Sequence, residues 1–171
     1  MKVTGYQLRQ AIDSKQIDLE AARERFNRNL FQFSGEGGED PLAIGLEICD
    51  LELDIVQLQA AQAEYNVSAD ICLGADKMTI AEAVKRVGVY ERMRGLWKSA
   101  MSTTQGSRSY FDYDRSVRSR ENEYAEKAIS DNDAKGMAKD FQRDLSEIRA
   151  AIAKANTVER EMDRLDPEWF E

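Results

Sequence analysis

The stretch that decides the fold runs from Pro41 to Tyr65 and reads PLAIGLEICDLELDIVQLQAAQAEY. Placed on a helix at 100° per residue, its apolar side chains fall on two sides instead of one. The first side carries Ile44, Ile48, Leu51, Ile55, Leu58 and Tyr65. The second side, nearly opposite, carries Leu46, Cys49, Leu53, Val56, Ala60 and Ala63. A surface helix has one apolar stripe, so we expect this helix to be covered twice.

The segment before this helix supplies the first cover. From residue 4 to residue 33, apolar side chains recur at spacings that are mostly three, four or seven, which predicts a helix about 45 Å long. A Gly-rich break at residues 34–39 lets the chain fold back as an αα-hairpin. Asp40 and Pro41 then have the N-cap and N1 residue types that start a helix, predicted over 41–65. The second cover is helix 3, helix 4 or another subunit.

The rest of the chain predicts shorter elements. Residues 67–78 alternate apolar and polar positions, as a β-hairpin does, and Thr79 to Glu82 is a capping box that opens a third helix over 79–101. Residues 102–120 have no helical period and predict a loop, a fourth helix covers 131–156, and 157–171 is an acidic tail. We therefore predict a single, mainly α domain over 1–171, with a long antiparallel αα-hairpin, two further helices and one small β-hairpin. Helices as long as such a domain is wide, about 40 Å, suggest a homo-oligomer.

Composition excludes several kinds of chemistry. The 171 residues include no histidine, which removes Ser-His-Asp catalysis and His-ligated metal sites. No catalytic residue, metal site or cofactor is therefore predicted, and we expect a protein that is not an enzyme. No apolar run is long enough for a leader or a membrane span, so we expect a cytoplasmic protein without membrane contacts.

The charge distribution is uneven. The net charge is −8, yet residues 77–120 hold 10 basic and 4 acidic side chains. Arginine binds phosphate through two parallel hydrogen bonds, and aromatic rings stack on bases. The predicted anion-binding residues are Arg108, Tyr110, Phe111, Tyr113, Arg115, Arg118 and Arg120 of the loop, with Lys85 and Arg92 of helix 3. The alternative is that these arginines pair with acids of neighbouring helices. The net charge argues against extended duplex nucleic acid as a partner.

Element order and three short strings resemble small uncharacterised bacterial and phage helical proteins, such as the septicolysin-like group. The strings are Tyr65-Asn66, the heptapeptide MTIAEAV at 78–84, and Ala155-Asn156-Thr157. The resemblance implies a helical, multimeric assembly, and it assigns no functional residue.

Three functions follow, in order of preference. The first is a non-enzymatic homo-oligomeric binding protein that sequesters a small anionic, nucleotide-like ligand, as a phage-type sponge would. The alternative is a structural or adaptor helical assembly without a small ligand. The third is an enzyme similar to all-helical nucleotide pyrophosphatases, with Glu47, Asp50 and Glu52 as the acidic residues, although no second ExxE motif faces them.

The two cysteines, Cys49 and Cys72, are expected to be reduced thiols, because nothing in the sequence routes the chain to an oxidising compartment. Mass spectrometry of freshly prepared protein under non-reducing conditions should find two free thiols in each chain. An intramolecular bridge between Cys49 and Cys72 would overturn this expectation.

Overall fold

The computed structural model describes residues 1–31, 38–102 and 127–170. In chain order the elements are β1 (Lys2–Val3), α1 (Gly5–Asn29), α2 (Pro41–Ser68), β2 (Asp70–Leu73), β3 (Asp76–Thr79), α3 (Ile80–Ser102), α4 (Asp131–Ala155), β4 (Arg160–Glu161) and a 3-10 helix (Pro167–Phe170). The predicted mainly α fold, with its αα-hairpin and small β-hairpin, is confirmed. A second antiparallel strand pair, β1 with β4, was not predicted.

The chain forms two compact units. The hairpin unit contains residues 1–83 and 151–171, and the second unit contains residues 84–150. None of the helices in the described part of the chain combines the length and apolarity that a bilayer crossing requires.

Side-chain hydrogen bonds cap both ends of helix α1. The Thr4 hydroxyl accepts a hydrogen bond from the Gln7 backbone N–H at 3.1 Å, and the Gln7 side chain accepts one from the Thr4 N–H at 2.9 Å. The helix ends at Asn29, four residues before the predicted end at 33. Asn29 explains this difference, because its amide donates to the Arg25 carbonyl and accepts from the Glu39 N–H, at 2.8 and 3.0 Å. This one side chain satisfies a carbonyl of the last turn and holds the returning chain.

The hairpin unit is built on the contact between α1 and α2. Helix α1 buries Leu8, Ala11, Ile12, Leu19 and Ala22, and helix α2 buries Ile44, Ile55, Leu58, Ala61 and Tyr65. The first apolar side of α2 is therefore the one that α1 covers, which the sequence left open.

Tyr65 fastens the far end of α2 to the C-terminal part of the chain. Its side chain is fully buried, and its hydroxyl lies 2.8 Å from both the Ala155 and the Val158 carbonyl oxygens. The first turn of α1 packs against the same place. A Cβ atom on Gly5 would come within 2.2 Å of Asn156 Oδ1 and 2.9 Å of Tyr65 Cε1, so only glycine fits there without displacing its neighbours.

Both ends of the chain join at this region. The Met1 ammonium donates to the Met162 carbonyl at 2.8 Å, and the Met162 N–H donates to the Met1 carbonyl at the same distance. These bonds extend the short pairing of β1 with β4 and tie the tail to the hairpin unit.

The second unit pairs α3 with α4 through mixed contacts. Tyr90 and Phe141 meet with ring centroids 5.8 Å apart, and Glu91 forms an ion pair with Arg149. Arg94 donates to the Gln142 side chain. Helix α3 continues through Gly88 and Gly95.

Replacing Tyr65 by phenylalanine should lower the free energy of unfolding by about 1–3 kcal/mol, because the Ala155 and Val158 carbonyl oxygens lose the hydroxyl donor that they share. Denaturant unfolding followed by circular dichroism measures the change. Tyr6→Phe is the matched control: Tyr6 is 47% exposed, so its stability should stay within about 0.5 kcal/mol of the parent. Equal stabilities for the two variants would contradict the role given to the Tyr65 hydroxyl.

Candidate functional site

The structure describes only two of the nine residues of the predicted anion site. Arg108, Tyr110, Phe111, Tyr113, Arg115, Arg118 and Arg120 all lie outside the described residues. Lys85 and Arg92 lie on α3, and both are exposed. That the loop side chains form one site with Lys85 and Arg92 stays a prediction.

Lys85 and Arg92 share a face of α3, because seven residues are close to two helical turns. Among the described residues, no carboxylate lies within ion-pair distance of either. Their charges are therefore available to an external anion. Two exposed cations provide electrostatic attraction but no enclosed site.

Three acidic residues of α2 have partners on α1, and Asp50 is not among them. Glu47 pairs with Arg25 and Glu52 pairs with Arg23. Asp54 accepts a hydrogen bond from Lys15 at 2.7 Å. The hydrogen bond from Arg25 to Glu47 raises the pKa of Arg25 above its ordinary value.

These pairs run along the α1–α2 contact, so they help to align the two helices. Within the described ranges, no three Asp, Glu or Cys side chains cluster closely enough to hold a metal ion.

A groove of about 670 Å³ runs between α1 and α2. Its charged lining consists of Glu20, Glu24 and Glu52, with Arg23 as the one basic residue. This acidic lining repels an anion. The groove therefore does not suit the nucleotide-like ligand that we predict from the basic residues of the segment 77–120, the basic segment.

The most unusual surface of the hairpin unit is the second apolar side of α2. We call it the α2 stripe and define it by eight exposed residues: Leu42, Leu46, Cys49, Leu53, Val56, Ala60, Ala63 and Val67. The exposed fractions of its large side chains range from 56% at Leu53 to 80% at Leu42. Within the hairpin unit, no described element covers this side of α2, so what covers it stays a prediction.

The α2 stripe has the spacing of a coiled-coil seam. Its successive residues are alternately four and three positions apart from Leu42 to Val67, which is a heptad repeat over about 38 Å of helix. The sequence prediction identified six of these residues. It missed the two at the ends, and with them the heptad register, although the 4-3 spacing is visible in the sequence itself.

Polar residues border the α2 stripe on both edges. One edge carries Asp50, Gln57 and Glu64, and the other carries Glu52 and Gln59. An apolar seam with polar edges is the pattern of a helix that packs against another helix. It suits contact with a protein rather than catalysis.

Comparison with known proteins shows the fold and no function. No family model matches the chain, and no curated protein matches it. A crystal structure from Corynebacterium diphtheriae, described as a functionally unknown conserved protein, is similar with a TM-score of 0.68. The two sequences are 16% identical over 94% of this chain and 100% of the other. The resemblance to the septicolysin-like group stays a prediction.

If the basic segment binds a phosphate-bearing ligand, Arg115→Ala and Arg118→Ala should each weaken binding about tenfold to hundredfold. That loss corresponds to one charge-assisted hydrogen bond of about 1.5–3 kcal/mol. Lys85→Ala and Arg92→Ala test in the same way whether α3 contributes to the anion site. Calorimetry against mono-, di- and cyclic nucleotides measures the affinities, and melting curves report stability.

A ligand contact should leave the melting temperature of the unliganded protein nearly unchanged. If no nucleotide binds the parent, and both arginine variants melt at clearly lower temperature, the arginines anchor the fold and the anion site is refuted.

Proposed function

We propose that this protein is a non-enzymatic helical assembly protein, and that the α2 stripe is the contact between copies. Homo-oligomerisation is the part shared by the sequestration hypothesis and the structural hypothesis. The observation that carries it is the α2 stripe itself: eight exposed residues in heptad register, on a helix whose other side already packs on α1.

The exposed area is large enough to drive association. Full burial of a leucine or valine side chain contributes about 1.5–3 kcal/mol. Leu42, Leu46, Leu53, Val56 and Val67 are 56–80% exposed, so each contributes about 1–2 kcal/mol when covered. Ten such side chains in a pair of copies give on the order of 10–20 kcal/mol, against an association cost of about 4–15 kcal/mol. The middle of the first range, about 15 kcal/mol, exceeds the middle of the second, about 10 kcal/mol, which favours self-association.

The identity of the small residues supports a helix as the covering element. Ala60 and Ala63 allow a second helix to approach closely, whereas a flat or irregular surface would gain little from them. The α2 stripe also runs along nearly the whole helix, which matches another helix of similar length.

Anion sequestration is a second candidate function. It is supported by Lys85 and Arg92, which are exposed and have no carboxylate partner among the described residues. An assembly would bring several basic segments together and raise the number of cations near one ligand. The two candidates are therefore compatible, and the nucleotide titrations described above decide the second.

Leu53→Asp tests the assembly directly. In the isolated chain Leu53 is 56% exposed, so the aspartate is hydrated and the fold should tolerate it. In the assembly it places an unpaired charge from each copy in an apolar contact, at a cost of several kcal/mol. Self-association should weaken at least about a hundredfold in sedimentation velocity.

Ile17→Asp is the matched control, because Ile17 is 68% exposed, lies on α1 and is outside the α2 stripe. It should sediment like the parent. A parent protein that stays monomeric at every accessible concentration would refute the assembly. Unchanged association of Leu53→Asp would place the contact on another surface.

A further inference from the structure

Resting on the proposed assembly, we infer that two copies pair their α2 stripes antiparallel, about a twofold axis that passes α2 between Asp54 and Ile55. The α2 stripe is symmetric about this point. Its residues mirror each other as Leu42 with Val67, Leu46 with Ala63, Cys49 with Ala60, and Leu53 with Val56. With the axis at this point, the two residues of each mirror pair face each other across the two copies and form one layer of the contact.

Heptad positions agree with this arrangement. Written as a coiled coil, Leu46, Leu53, Ala60 and Val67 take position a, and Leu42, Cys49, Val56 and Ala63 take position d. Every mirror pair joins one a residue to one d residue. Antiparallel helices stack a against d, so the register requires no bulge or shift.

Side-chain volumes distinguish antiparallel from parallel pairing. In the antiparallel layers, the leucine at 46 meets Ala63 of the other copy and the thiol at 49 meets Ala60, so large or medium side chains oppose small ones. Parallel pairing instead stacks Leu46 on Leu46 and leaves two consecutive alanine layers at 60 and 63. The two alanine layers would leave a void next to the well-filled leucine and valine layers, and a void lowers stability.

The edges of the α2 stripe accept a second copy. Across the antiparallel contact Asp50 faces Gln57, Glu52 faces Gln59, and Glu64 faces Ala43. Among the edge residues of α2 itself no two carboxylates meet, so these edges do not oppose self-pairing. A foreign partner would not explain why Ala60 and Ala63 lie where an antiparallel copy places Cys49 and Leu46. A second copy explains it, because a twofold axis requires the surface to match itself.

The native thiol at 49 provides the test. Cys72→Ser removes the other exposed cysteine, and Ala60→Cys in that background adds a thiol that the register places opposite Cys49 of the other copy. Mild oxidation, or a short bis-maleimide, should then produce covalent dimer in roughly tenfold or greater excess over the control proteins, since only this variant brings two thiols face to face. Peptide mapping should show that the link joins position 49 of one copy to position 60 of the other.

Two control proteins carry one thiol each: Cys72→Ser alone, and Cys49→Ala with Ala60→Cys and Cys72→Ser. In the antiparallel register the two copies of residue 49 lie 11 residues apart along the axis, about 16 Å, and so do the two copies of residue 60. Neither control should cross-link. Within one chain, residues 49 and 60 are equally far apart, so an internal link does not compete.

The outcomes separate the two proposals. Efficient cross-linking of Cys72→Ser through Cys49 of both copies would establish parallel pairing and overturn the antiparallel register, while the assembly stands. A dimer by sedimentation without any link between positions 49 and 60 would also overturn the register. A monomer by sedimentation, with no cross-link in any variant, would overturn both the register and the assembly.

Discussion

The two-sided apolar character of α2 is the constraint on which the hairpin unit depends. One side is satisfied inside the chain, because Leu8, Ile12 and Leu19 of α1 pack on it. The ion pairs from Arg23 and Arg25 of α1 then fix how the two helices face each other. With this side committed to α1, the opposite side is left without a cover inside the hairpin unit. The exposed α2 stripe is thus a consequence of how the core is built.

Tyr65 connects α2 to the other elements of the hairpin unit. It lies near the end of α2, and its hydroxyl bonds to carbonyls at and just after the end of α4, while Gly5 at the start of α1 packs against its ring. The β1–β4 pair and the Met1–Met162 bonds close the same region. Because α2 is held by α1 along its length and by the chain termini at its C-terminal end, it presents the α2 stripe as a rigid surface. Rigid contact surfaces lose less entropy when they associate.

Much of this fold is readable from the sequence, because its signals are periodic or local. The helical period predicted the helices, and the predicted Asp40 and Thr79 caps are local patterns that the structure contains. Two-residue strands such as β1 and β4 have no period, so no sequence pattern predicts their pairing across the whole chain. The early end of α1 coincides with a hydrogen bond between Asn29 and Glu39, which lie ten residues apart and which no local sequence pattern links.

The candidate site was predicted less completely, for a different reason. Six of the eight stripe residues followed from the helical projection, but that projection cannot say which apolar side α1 covers. Exposure in the structure resolves this, because the side that α1 covers is buried and the whole α2 stripe is exposed. The basic loop was chosen on charge and residue type, and its seven residues lie outside the described part of the chain.

Isotope-filtered nuclear Overhauser spectroscopy on a mixture of labelled and unlabelled copies tests the central claim most directly. Within one chain Leu46 and Ala63 lie 17 residues apart on a continuous helix, about 25 Å, which is far too distant for a cross-peak. Antiparallel pairing of the α2 stripes predicts an intermolecular cross-peak between the Leu46 and Ala63 methyl groups. A spectrum in which no methyl group of the α2 stripe contacts the other copy would contradict the claim.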